Sequence, residues 1–236
     1  MRGNRLKPLI KAVFSALFRL LARVSVEGKK NLPKDEGYIL ATNHLSILDA
    51  PLVYISLDRY DLTALVAKKH QKNPLLRWII NEIGGIWLNR EEADSRALRS
   101  AQAHLKDGGV LGIAPEGTRS PNHSLLPAKT GVAYIADRTE ASIVPAAIIG
   151  SERSIPKMLT LQRPRMTIRF GKPFKLPPLN RKTRYQDLKD NTDEIMSQIA
   201  SLLPPSYQGF YANHPRVLEL TTLTSKSNEQ KSPLTN

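Results

Sequence analysis

Apolar residues recur along this chain with two different rhythms, and the change from one to the other divides it into elements. From Leu6 they fall at Leu9, Ile10, Val13, Phe14, Leu17, Leu20, Leu21 and Val24, the i, i+3, i+4, i+7 spacing of one helical face. Pro8 suits a first helical turn, so a helix is predicted from there to about Ala22. Lys7, Lys11, Arg19 and Arg23 fall on the opposite arc. Beyond it come short runs with strand character: Val24 to Gly28, Tyr38 to Thr42, Leu62 to Ala67, Gly85 to Leu88, Val110 to Ala114, Ile143 to Ile149, and the alternating Arg165 to Phe170. Helical stretches lie among them, at Ala50 to Leu57, Asn73-Pro74 through Ile80, Glu91 to Lys106, Lys129 to Arg138 and Thr183 to Leu203. Pro145 inside an apolar run implies an edge strand or a bulge.

This alternation predicts the α/β class: a single mixed α/β domain with a central, mostly parallel sheet flanked by helices, plus an N-terminal amphipathic helix. The expected division is residues 1–23 for that helix, 24–204 for the domain and 205–236 for a polar tail, mobile at its end.

Charge changes the reading of the first helix. The 236 residues carry a formal charge of +14, and it is concentrated. Residues 1–35 hold nine Lys or Arg against two acids, and residues 163–189 hold nine against one. Such an excess fits nucleic acid or an anionic membrane surface. Aromatic residues are not interleaved with the basic runs and no nucleic-acid motif is present, so nucleic acid is not expected. Arg19 and Arg23 cut the first apolar run short of the ~20 residues that a bilayer span needs, and no signal-type cleavage site follows. The helix therefore either lies in a membrane interface, basic arc toward the headgroups, or packs on the domain.

Composition also narrows the chemistry. With no cysteine there is no thiol nucleophile, disulfide or thiolate metal site, and no metal is expected. The candidate centre is Asn43-His44-Leu45-Ser46-Ile47-Leu48-Asp49, which follows the run Tyr38 to Thr42. A neutral imidazole held in one tautomer by a carboxylate is a general base. On a regular helix, five steps of about 100° would leave the His44 and Asp49 side chains about 140° apart. Their pairing requires the backbone to bend; without it His44 is a histidine satisfied in a turn.

Three further segments end strands with polar groups. Val110 to Ala114 runs into Pro115-Glu116-Gly117-Thr118-Arg119-Ser120, where Pro and Gly end the ladder and place Glu116, Thr118 and Arg119 on a loop. In open α/β sheets ligands bind at this edge, and a guanidinium there suits a phosphate. Lys68 and Lys69 close another strand, as either a phosphate contact or a solvated pair. Arg90 follows Leu88 and Asn89, and either reaches a cleft or makes a surface ion pair.

Together these segments resemble the glycerophospholipid acyltransferases, most closely the 1-acylglycerol-3-phosphate (lysophosphatidate) acyltransferases, from about Val24 to Gly171. The motif N-H-x-S-x-x-D is intact as Asn43, His44, Ser46 and Asp49. Gly85 to Arg90 matches the second motif, with Asn89 where the family often has Asp. P-E-G-T-R-S is complete from Pro115 to Ser120, and V-P-x-A-I runs from Val144 to Ile148.

The resemblance implies acyl transfer to the free hydroxyl of a lysophospholipid, giving phosphatidic acid, with His44 as base and Asp49 orienting it. Acyl-CoA or acyl-carrier protein would be the co-substrate, with no bound cofactor and acyl-carrier protein as a further partner. Arg90, Glu116, Gly117, Thr118 and Arg119 would hold the acceptor phosphate, supported by Asn43, Ser46, Lys68 and Pro145. The location implied is peripheral, on the cytoplasmic face of a membrane. Other acceptors (glycerol 3-phosphate, a lyso-ornithine lipid), thioester hydrolysis, and a non-catalytic basic membrane-binding protein remain as alternatives.

Overall fold

The strand-forming runs assemble into one seven-stranded sheet in the computed structural model, which describes residues 6–89 and 94–229. The strands are β1 (Arg23–Glu27), β2 (Tyr38–Thr42), β3 (Leu62–Ala67), β4 (Ile86–Leu88), β5 (Val110–Ile113), β6 (Ser142–Ile149) and β7 (Arg165–Phe170). Their order is β1-β7-β6-β2-β5-β3-β4, and every neighbouring pair is parallel except β6 with β7. The helices are α1 (Lys7–Leu21), α2 (Asp49–Ser56), α3 (Pro74–Ile83), α4 (Ser95–Lys106), α5 (Gly131–Thr139), α6 (Ser154–Leu159), α7 (Arg184–Ser201) and α8 (Pro215–Glu229). The fold is thus the α/β arrangement that the alternation of runs implies.

The central strands are apolar on both faces because helices cover both. Ile39, Leu111, Ile143 and Ala147 face a cluster with Ala101 and Leu105 of α4, Ile135 of α5, and Ile195 and Ile199 of α7. Tyr38, Leu40, Val144 and Ile148 face the other side, with Ile10 and Phe18 of α1, Leu52 and Tyr54 of α2, and Met158 of α6. Leu40, Leu52 and Ile148 are fully buried, and each such side chain stabilises the fold by about 1.5–3 kcal/mol.

Several boundaries differ from the expectation for identifiable reasons. Strand β6 is interior, not an edge. Its Ala146 pairs with Phe170 but its Ile143 pairs with Phe174, so three steps on β6 face four on the other strand. That extra residue is the bulge that accommodates Pro145, whose carbonyl still accepts the Gly171 N–H at 2.8 Å. Helix α3 continues past Ile80 until Gly84, which takes the left-handed conformation with φ 90°. Helix α4 starts at Ser95, where the Asp94 side chain accepts the Ala97 N–H at 3.0 Å; the expected start at Glu91 lies outside the described residues.

The first part of the segment expected to be a polar tail is packed. Tyr211 and Val217 are each 1% exposed in the core cluster with α7, and Arg216 binds Glu194 of that helix. Val217 and one ion pair hold α8, and Tyr211 anchors the turn before it, even though the helix lacks a long apolar stripe.

Helix α1 resolves its two readings in an unexpected way. At about 100° per residue, Ile10, Phe14, Phe18 and Leu21 share one arc, and Leu6, Leu9, Val13, Leu17 and Leu20 share the adjoining one. The first arc packs on the core. The second is exposed, Leu9 by 59% and Leu20 by 66%. Lys11 is not on a free basic arc: its ammonium is held by the carbonyl of Leu57 and lies over the Tyr60 ring, and burial lowers its pKa. Among the described residues, no helix is long and apolar enough to cross a membrane.

Candidate functional site

Strand β2 ends at Thr42, two residues before His44, because Asn43 replaces the next rung of the ladder with its own side chain. Asn43 Nδ2 donates to the Ile148 carbonyl at 2.8 Å, and its Oδ1 accepts the Ile148 N–H at 2.7 Å. The amide thus mimics a strand residue toward β6, while the main chain turns away as an irregular loop through Leu48. This is the bend that the spacing of His44 and Asp49 requires.

Asp49 opens α2 and folds its carboxylate back over that loop. Its Oδ2 accepts the Leu45 N–H at 2.6 Å, the Ser46 N–H at 2.8 Å and His44 Nδ1 at 2.8 Å. Because the carboxylate is an acceptor, Nδ1 carries the hydrogen and Nε2 is left as the basic nitrogen. The Asp49 side chain is 3% exposed and that of His44 is 27% exposed, so the base opens to solvent while its orienting group does not. Ser46 closes the turn, its hydroxyl accepting the Leu48 N–H at 3.3 Å.

The second oxygen of Asp49 finds a partner that no motif contains. Ser151 Oγ, fully buried just beyond β6, donates to Oδ1 at 2.5 Å. With it, both carboxylate oxygens are occupied and the dyad is fixed from two sides.

The loop after β5 clasps His44 by its backbone. Glu116 Oε1 accepts the His44 N–H at 3.0 Å, and the His44 carbonyl accepts the Ser120 N–H at 2.8 Å. Glu116 Oε2 accepts the Leu126 N–H at 2.9 Å. The residue is 3% exposed, and burial pushes its carboxyl pKa up against the lowering effect of these amides. Glu116 therefore faces inward and builds the loop, instead of holding a substrate phosphate as the sequence suggested. Gly117 permits the turn with φ 70°; a Cβ there would press on the Lys129 side chain.

Thr118 and Arg119 are exposed and line a cleft of about 330 Å³ together with His44. Lys69 and His70 line it as well, so the lysine pair after β3 is divided: Lys69 faces the cleft, and Lys68 Nζ lies 3.5 Å from Asp94. His123 also lines the cleft, with φ 61° and a buried Nδ1 that has no hydrogen-bond partner. Pro145 is buried within β6 and Gly117 is likewise not part of the lining. Arg90 lies outside the described residues. His70, His123 and Ser151 carry no signal in the sequence, whereas Lys69 belongs to the lysine pair read there as either a phosphate contact or a solvated pair.

The arrangement places a base with one free nitrogen beside a guanidinium and an ammonium in an open, polar cleft. It can remove a proton from a hydroxyl whose owner carries an anionic group. Among the described residues no three His, Asp or Glu side chains stand close enough to hold a metal ion.

Comparison with known proteins agrees with this chemistry. The sequence model of the family described as Acyltransferase matches residues 23–149, which include the dyad and the Glu116 to Arg119 loop. The 1-acyl-sn-glycerol-3-phosphate acyltransferase of Bacillus subtilis is 28% identical over 134 residues, 57% of this chain and 66% of its own. That of Borreliella burgdorferi is 28% identical over 128 residues, 53% of this chain and 51% of its own. The chain thus spans about half to two thirds of the length of these relatives. The crystal structure of the 1-acyl-sn-glycerophosphate acyltransferase PlsC from Thermotoga maritima superposes with a TM-score of 0.62 at 27% identity, covering 83% of each chain.

Proposed function

The chain belongs to the acyltransferase family, and we propose that it transfers a fatty acyl group to the free hydroxyl of 1-acylglycerol-3-phosphate, giving phosphatidic acid. The observation that carries this reading is the His44–Asp49 pair at 2.8 Å opening into the cleft that Arg119 lines. His44 Nε2 takes the hydroxyl proton as the oxygen attacks the thioester carbonyl of acyl-CoA or acyl-carrier protein. The imidazolium is held by Asp49. Collapse of the tetrahedral adduct breaks the carbon–sulfur bond, and the proton on His44 passes to the departing thiolate. No acyl-enzyme forms, in keeping with a chain that has no cysteine.

Arg119 and Lys69 hold the acceptor phosphate by charge-assisted hydrogen bonds. The exposed stripe of α1 rests in the bilayer interface on the cytoplasmic face, so that the acceptor's own acyl chain need not leave the lipid. The names of the relatives favour lysophosphatidate over other acceptors.

The test is thiol release by the purified protein from either thioester across a panel of lysophospholipids. Release should depend on lysophosphatidate and weaken when its phosphate is capped by a headgroup; Arg119→Ala should raise the KM for the acceptor and reduce that preference. Thiol release indifferent to every acceptor would assign the protein to thioester hydrolysis instead.

A further inference from the structure

Helix α6 ends in a conformation that contacts within the protein do not repay. Gln162 donates its N–H to the Lys157 carbonyl at 2.9 Å and Leu161 donates to the Met158 carbonyl at 3.1 Å. This pair of bonds closes a helix through one left-handed residue, a place that favours glycine because a Cβ is strained there. Here the residue is Leu161, with φ 56°, and Arg163 also has a positive φ of 48°. Burial does not offset the strain: Leu161 is 70% exposed and Leu159 is 80% exposed. A strained backbone that holds two leucines in solvent marks a functional contact.

The position of this loop identifies the contact. Arg163 Nη2 donates to the Arg19 carbonyl at 3.0 Å, and the Pro164 carbonyl accepts the Arg23 N–H at 2.9 Å. The loop is thereby tied to the end of α1 that carries exposed Leu20, the last member of the stripe of Leu9, Val13 and Leu17. Between Arg153 and Arg165 the sequence has four cations, Arg153, Lys157, Arg163 and Arg165, and no acid. Apolar tips with cations close by in the sequence complement a bilayer that offers acyl chains below anionic headgroups.

We propose that Leu159 and Leu161 form a second membrane anchor, inserting into the headgroup–acyl boundary of an anionic phospholipid bilayer beside α1. A single helical stripe leaves the domain free to roll about the helix axis; a second contact off that axis fixes its orientation over the lipid. This inference rests on the interfacial placement of α1.

The intact protein is tested by flotation with vesicles of phosphatidylglycerol and phosphatidylcholine, together with Leu161→Gly. That variant relieves the left-handed strain, so its thermal midpoint should equal or exceed that of the native protein while its partition to vesicles falls about tenfold. Unchanged partition overturns the proposal. Because the chain has no cysteine, Leu161→Cys and Val13→Cys each accept one environment-sensitive fluorophore. Both labels should shift to the blue on vesicles and remain aqueous without them. A Val13 label that shifts while the Leu161 label stays aqueous overturns the loop anchor alone. If neither shifts, the interfacial placement of α1 fails and the anchor with it. A Leu161 label that shifts without vesicles, as the protein self-associates, assigns the surface to a second copy and also overturns the proposal.

Discussion

Asp49→Asn removes a charge while leaving the shape of the dyad almost intact, and so isolates what the charge contributes. The geometry dictates how asparagine must sit. Oδ2 receives three donors, from His44, Leu45 and Ser46, whereas Oδ1 receives one, from Ser151. The amide oxygen therefore takes the Oδ2 position, and the amide nitrogen faces Ser151, whose hydroxyl rotates to accept. His44 keeps its tautomer, and folding is little changed. Only the imidazolium formed during transfer loses its partner. Two unit charges about 4 Å apart interact by about 4 kcal/mol at an effective dielectric constant near 20. Because the His44 side chain is 27% exposed, solvent screening reduces this to about 3 kcal/mol. At 1.36 kcal/mol per decade, kcat should fall on the order of 10²-fold, with the acceptor KM and the thermal midpoint near native. Initial rates of thiol release and a melting curve measure both. A variant within tenfold of native kcat would refute the reasoning, because the carboxylate would then serve only to build the loop.

Three further outcomes follow from neighbouring contacts. Ser151→Ala strips Oδ1 of its donor and should lower kcat about tenfold, with acceptor KM unchanged and Ser151→Thr restoring activity; an unchanged kcat would show that Oδ2 alone fixes the dyad. Glu116→Gln can accept only one of the two N–H groups that the carboxylate serves, so it should cost about 2 kcal/mol of stability in denaturant titration. Native stability combined with a raised acceptor KM would return Glu116 to the substrate. Asp94 accepts the N–H groups of Asn89 and Ala97, which hold its pKa down at about 2. A depressed carboxylate stabilises the fold above its unfolded value, and that stabilisation is lost as pH falls through the folded one. An NMR titration of its carboxyl carbon should therefore have its midpoint near pH 2, and a midpoint in the ordinary aspartate range would remove the cap at the start of α4.

The sequence disclosed the elements far better than the contacts between them. Strands β2, β3 and β7 fall where their apolar runs lie, because local burial sets both ends. The pairing of β7 against β6 in the antiparallel sense does not follow from any local pattern. Nor does the packing of α8 and the turn before it, which depends on Val217 of the helix and Tyr211 of the turn joining the core cluster that includes α7. The apolar face of α1 was legible, but not that the fold would cover only half of it. At the site, the spacing of His44 and Asp49 posed the correct geometric question. Its answer lies in partners distant in sequence: Ile148 for Asn43, Glu116 for the His44 amide, and Ser151 for Asp49. Likewise, a glutamate in a polar loop gives no sign that both of its oxygens turn inward to amides. Spacing identifies candidate groups, whereas burial assigns them to substrate or scaffold.

We propose His44 as the base for acyl transfer to lysophosphatidate. Mass spectrometry of the lipid products, after incubating native protein and His44→Ala with lysophosphatidate and each acyl thioester, tests it most directly. Phosphatidic acid should accumulate with the native protein and be lost with the variant, while both proteins melt alike. Phosphatidic acid formed at comparable rates by a folded His44→Ala protein would contradict the claim.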